Sequence, residues 1–88
     1  MYTMNPEPDV AVTSVPTLSA REIEVLRTWF TCDSKSEAAR KLFITPATVN
    51  THITRIRDKY DAVGRSGATK SALLARALQD GLISVDEL

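Results

Sequence analysis

The stretch from Thr45 to Tyr60 constrains the fold more than any other part of the chain. Thr45 is a good helix N-cap, and Pro46 suits the first helical position, where a missing amide hydrogen costs nothing. Neither glycine nor another proline follows as far as Ala62. The pattern predicts a helix from Pro46 to about Tyr60, roughly 22 Å long at 1.5 Å per residue. On it, Val49, Ile53, Ile56 and Tyr60 fall within about 40° of one another and form one apolar stripe. A stripe of that kind is stable only when other elements cover it.

The rest of the chain supplies short helices with explicit start signals. Ser19 and Glu22 have the spacing of a capping box, so a first helix is expected from Ala20 to about Thr31. Its apolar face is Ile23, Leu26, Trp29 and Phe30, widened by Val25. A second box, Ser34 with Glu37, predicts a helix over Lys35 to Leu42 with Ala38, Ala39 and Leu42 inward. Gly64 and Gly67 mark a loop, Thr69 caps a fourth helix over Lys70 to Asp80, and Gly81 is its stop. Leu73, Leu74, Ala77 and Leu78 make the core side of that helix. No segment alternates as a half-buried strand does. The expected fold is all-α, with four helices over about 20–31, 35–42, 46–60 and 70–80. Residues 1–17, with Pro6, Pro8 and Pro16, read as a disordered arm or linker remnant, 18–83 as the domain and 84–88 as a tail.

Several function classes are disfavoured. At 88 residues there is room for one modest core. No run approaches the roughly 20 apolar residues of a membrane span, and the first residues lack the basic start and apolar region of a signal peptide, so a cytoplasmic protein is expected. Cys32 is the only cysteine and His52 the only histidine, too few for an internal disulfide or a four-ligand zinc site. Cys32 reads as a small buried hydrophobe. His52, at the edge of the apolar stripe, reads as a packed and hydrogen-bonded residue, not a ligand or a base. No phosphate-binding glycine loop, carboxylate pair or nucleophile with an orienting base is present, so no catalysis, metal or cofactor is expected.

Net charge is zero, but it is unevenly distributed. Between Ser34 and Lys70 stand Lys35, Arg40, Lys41, Arg55, Arg57, Lys59, Arg65 and Lys70 against Glu37, Asp58 and Asp61, a local excess of five bases. The exposed face of the third helix centres on Ala47, Thr51, Thr54 and Asp58. Asn50 and Arg57 flank it on one side, Thr48 and Arg55 on the other. Small polar side chains let a helix enter the DNA major groove closely. There Asn can pair with adenine, and Thr can meet thymine through its hydroxyl and methyl. An ordinary solvated helix face would carry the same residue types. A short helix with paired alanines, the turn Phe43, Ile44, Thr45 and a longer helix nonetheless have helix-turn-helix spacing.

Over residues 18–83 the chain resembles the LuxR-type (GerE-like) family of bacterial DNA-binding domains. The matching text is LSAREIEVLR from Leu18, SEAARKLFITPATVNTHITRIRDKY from Ser36 and ALQDGLI from Ala77. The resemblance implies a domain whose third helix enters the major groove and whose fourth forms a two-fold dimer contact. By position it places base contacts at Asn50, Thr51 and Thr54 and backbone contacts at Thr48 and Lys59, with Lys35, Arg55 and Lys70 as further backbone candidates. Ala72, Ala75, Arg76 and Gln79 are the outward residues of the fourth helix available for a homodimer contact. Asn50 stands where the family often has a base, and the connection from Asp61 to Thr69 is longer than usual and brings Arg65, read either as an extra DNA-backbone contact or as part of a mobile surface loop.

The resulting expectation is sequence-specific binding to double-stranded DNA, as a dimer on two half-sites, for transcription regulation. A preceding receiver or ligand-sensing domain is the expected partner. The competing reading is a protein-interaction module that docks on RNA polymerase or a partner regulator, which requires a contiguous apolar patch on the exposed face of the third or fourth helix.

Overall fold

The computed structural model describes residues 15–88, and within them the chain forms four α-helices and one short 3-10 turn. Helix α1 spans Ala20–Phe30, α2 Lys35–Leu42, α3 Pro46–Ala62 and α4 Lys70–Gln79, with the 3-10 turn at Val85–Glu87. No strand is present among the described residues. The all-α, four-helix expectation is met. Most of the expected arm, residues 1–14, lies outside the described residues, whereas Pro16 is buried and the Thr17 carbonyl accepts a hydrogen bond from Lys59 Nζ at 3.1 Å.

Each helix begins at the residue its local chemistry requires. Ser19 Oγ accepts from the Glu22 amide at 3.0 Å while Glu22 Oε1 accepts from the Ser19 amide at 2.8 Å, which completes the capping box. Ser34, Thr45 and Thr69 each accept from the amide three residues on. The second box differs from the expected one, because Glu37 reaches past Ser34 to the Asp33 amide at 2.8 Å. Helix ends depart from expectation by one or two residues: α1 stops at Phe30, α3 continues to Ala62 and α4 stops at Gln79.

Three of the ends share one geometry. After α3, the Arg65 amide donates to the Tyr60 carbonyl and the Gly64 amide to Asp61, and after α4 the Leu82 amide donates to Ala77 and the Gly81 amide to Leu78. Both are Schellman closures, with a left-handed glycine at φ 72° and 73°. After α2 the same pair of bonds runs from Ile44 to Ala39 and from Phe43 to Arg40, but the left-handed position is held by Phe43 at φ 59°. This strained residue makes the turn that leads α2 into α3.

The core is one cluster. Val49, Ile53, Ile56 and Tyr60 of α3 are fully buried, against Val25, Leu26 and Trp29 of α1, Ala38, Ala39 and Leu42 of α2, and Leu73 and Ala77 of α4. Cys32 and Ile83 complete it. The small Ala38 and Ala39 allow α2 to approach α3 closely. Leu74 and Leu78, expected as core, are only half-buried, because α4 rests on the bundle along Leu73 and Ala77.

The connection between α3 and α4 is held by a polar latch. Arg65 donates to both carboxylate oxygens of Asp80, at 3.0 and 2.8 Å, and to Gln79 Oε1 at 3.1 Å. Tyr60 donates its hydroxyl to Asp80 Oδ2 at 2.7 Å, and the guanidinium lies 5.4 Å from the centre of the Tyr60 ring. Burial first, then the Asp80 hydrogen bond and charge, push the Tyr60 phenol above its usual pKa, so it stays a neutral donor. The Asp80 hydrogen bond, working against burial, raises the Arg65 pKa. The two expectations for Arg65, an extra DNA-backbone contact or a mobile surface loop, are both corrected: its side chain faces inward and closes the loop.

Candidate nucleic-acid interface

Burying one face of α3 determines what the opposite face presents. With Val49, Ile53, Ile56 and Tyr60 at zero exposure, Ala47, Thr48, Asn50, Thr51, Thr54, Arg55 and Asp58 all stand exposed. The three expected base-contact residues, Asn50, Thr51 and Thr54, therefore share one open surface with no long aliphatic side chain on it.

The polar groups on this surface differ in how far they are already engaged. Thr51 Oγ1 donates to the Ala47 carbonyl at 3.0 Å, which turns its methyl and lone pairs outward. Thr48 Oγ1 lies 2.9 Å from the capping Thr45 Oγ1, at the α3 N-terminus, where the helix dipole favours an anion. Asn50 Oδ1 accepts from Lys35 Nζ at 2.5 Å. Because lysine can only donate, this contact orients the amide with its NH2 group away from Lys35 and available as a donor.

The expected backbone-contact bases fall into distinct groups. Arg55 is exposed, and among the described residues it has no carboxylate partner. Lys35 and Lys70 are each held by one neutral oxygen, Asn50 Oδ1 and the Cys32 carbonyl, the latter at 2.9 Å. Lys59 is different: its ammonium bonds Glu22 Oε1 at 2.7 Å, and Glu22 is 6 % exposed. Burial alone would raise the Glu22 pKa. The Lys59 hydrogen bond, the Ser19 amide and the Lys59 charge outweigh burial and lower it. The resting Lys59 thus ties α3 to the start of α1, and a phosphate would have to displace Glu22 to reach it.

His52 was expected to be packed and hydrogen-bonded. It is half-buried and lines a shallow groove with Ser19, Glu22, Arg55, Asp58 and Lys59, but its buried Nδ1 has no hydrogen-bond partner among the described residues. On α4, Ala75 and Gln79 are exposed and Ala72 and Arg76 half-exposed. Arg76 Nε donates to the Ser66 carbonyl at 3.0 Å and Gln79 Oε1 accepts from Arg65 at 3.1 Å, so two of the expected dimer residues also hold the loop. Arg57, expected with Asn50 at the rim of the exposed face, is half-buried and donates Nε to the Gly67 carbonyl at 3.1 Å. It stands seven residues after Asn50, on nearly the same line of the helix.

Among the described residues there is no cluster of metal-binding side chains and no helix long and apolar enough to cross a membrane. Comparison with known proteins agrees with the geometry. The family model of bacterial regulatory proteins of the luxR family matches residues 16–72. Two curated relatives match at 38% identity over 63 residues, both described as probable transcriptional regulatory protein NarL, from the CDC 1551 and H37Rv strains of Mycobacterium tuberculosis. The match covers 72% of this chain and 29% of each relative, so the chain corresponds to less than a third of their length. No solved structure gives a significant match. A helix-turn-helix with an exposed polar third helix, matched along most of the domain, is a DNA-binding unit of transcription regulation, and the chain belongs to the luxR family of bacterial regulatory proteins.

Proposed function

We propose that the domain reads double-stranded DNA with α3 in the major groove, using Asn50, Thr51 and Thr54 for base edges, and binds as a homodimer on two half-sites. The observation that carries this reading is the α3 surface itself: the helix is fully buried along Val49, Ile53, Ile56 and Tyr60, and its other side exposes Asn50, Thr51 and Thr54 among small, polar or charged residues with no long aliphatic side chain. Thr48, Lys35, Arg55 and Lys70 surround that surface and suit phosphates, which position the helix while base contacts specify sequence. Lys59 serves the fold first. The dimer contact is assigned to Ala72 and Ala75, flanked by Arg76 and Gln79.

The competing docking module would need a contiguous apolar patch on α3 or α4. The large exposed hydrophobics among the described residues are Val15, Phe43, Val85 and Leu88, all outside those two helices. A receiver or sensing domain as partner, a contact with RNA polymerase and a cytoplasmic site of action belong to the same reading. Selection of bound sites from random DNA tests it. Wild-type protein should enrich a two-fold symmetric site, and Asn50→Ala should relax one base position per half-site at a cost of about 1 to 3 kcal/mol. Equal losses on selected and random DNA would reassign α3.

A further inference from the structure

Beside the base-reading face lies a second cluster of cations, organised by a tryptophan. Trp29 is 5 % exposed and sits where α1, α3 and the starts of α2 and α4 converge. Lys70 Nζ lies 4.9 Å from its ring centre, the Arg57 guanidinium 5.8 Å and Lys35 Nζ 5.9 Å. Three positive charges thus stand within 6 Å of one ring centre. Among the described residues none of the three is ion-paired with a carboxylate.

Each cation is instead positioned by one uncharged oxygen: Lys35 by Asn50 Oδ1, Arg57 by the Gly67 carbonyl and Lys70 by the Cys32 carbonyl. Each keeps further N–H donors. Arg57 is held through Nε, which leaves both terminal nitrogens for a paired contact with two oxygens of one anion. Lys35 and Lys70 are also the first residues of α2 and α4, so each belongs to the positive end of a helix. The π face of Trp29 gathers the cations without neutralising them.

We propose that Lys35, Arg57 and Lys70, gathered on Trp29, form a site for a DNA backbone phosphate along the Asn50 side of α3, with Arg57 as its central contact. The proposal rests on the reading of α3 as a groove-binding helix and adds a phosphate-binding residue to it. Asn50 and Arg57 lie on one line of α3, and Lys35 touches both Asn50 and the cluster. Base recognition and phosphate anchoring are therefore mechanically joined through Lys35.

The test uses the 88-residue chain, a fluorescent duplex of random sequence and the duplex obtained by site selection, with binding followed by anisotropy across a salt series. Arg57→Gln should flatten the dependence of log K on log salt by about 0.9 on both duplexes. Arg57→Lys should restore that slope while recovering only part of the affinity. Base preference should stay as in wild type, and the melting temperature of each variant reports whether the fold is kept. A folded Arg57→Gln with the wild-type slope overturns the proposal even where Asn50→Ala relaxes base preference as expected. A wild-type chain that binds neither duplex overturns both readings. Inorganic phosphate at matched ionic strength should not displace the duplex; displacement would make this a free-anion site and also overturn the proposal.

Discussion

Removing the Arg65 side chain should unfold this domain more effectively than any change on its surface. Arg65 and Asp80 have side chains 10 % and 4 % exposed and form a two-pronged ion pair, and the Tyr60 hydroxyl bonds the same carboxylate. In Arg65→Met the Asp80 carboxylate stays buried with Tyr60 as its remaining side-chain donor. Stranding one member of a buried pair costs about 3 to 5 kcal/mol. A chain of this size has a total stability of only about 4 to 13 kcal/mol, so the variant should lose at least about 12 °C in melting temperature. A concerted replacement behaves differently. Removing both charges but keeping Tyr60 would strand its hydroxyl at about 1 to 3 kcal/mol, so the informative variant is Tyr60→Phe, Arg65→Met and Asp80→Leu together. With no buried polar group left unpaired, it should return to within about 1 kcal/mol of wild type. Urea unfolding followed by far-ultraviolet circular dichroism measures all of these, and an unchanged slope with denaturant shows that the same surface unfolds. A loss below about 1 kcal/mol for Arg65→Met, the range of exposed pairs, would refute the reasoning. Additive single effects in place of recovery would refute the coupling.

Two further outcomes follow from local geometry. Phe43 holds a left-handed helix end at φ 59° with its side chain 94 % exposed, so Phe43→Asn should stabilise the domain by about 0.5 to 1 kcal/mol, read as a higher urea midpoint; destabilisation would show that the ring packs in solution. Glu22, Glu37 and Glu87 all have lowered pKa values. For Glu22, burial opposes the Lys59 and Ser19 contacts, for Glu37 the Asp33 amide dominates, and for Glu87 the Ser84 amide does, with Arg27 adding to it. A carboxylate lowered by folding contributes stability that is complete above its ordinary value of 4.5 and is lost as pH falls through the lower folded-state value. Urea midpoints should therefore be flat from neutrality to about pH 5 and decline below it. Lys59→Met should shrink that decline, and an undiminished decline would remove Glu22 as a contributor.

How much could be read in advance follows the range of the interactions. Helix starts were legible because a cap is a contact over three residues: Ser19, Ser34, Thr45 and Thr69 all cap the helices expected of them. The buried stripe of α3 was legible because Val49, Ile53, Ile56 and Tyr60 repeat at the helical period. Helix ends were less so, since they depend on which carbonyls find partners, and Phe43 took a position where glycine serves α3 and α4.

The sequence by itself determined four helices, their order, the buried side of α3 and so the identity of its exposed polar face. Tertiary structure decided which charges remain available. Lys59 and Arg55 look alike in sequence, yet Lys59 meets Glu22, 37 residues away, and Arg55 meets no carboxylate. Arg65 turns inward to Asp80, while Lys35, Arg57 and Lys70 assemble from three separate helices on Trp29 of a fourth. Backbone caps and periodicity act within one or two helical turns, but an ion pair forms only where packing brings distant side chains within a few ångströms, so the charge available to DNA is a property of the fold.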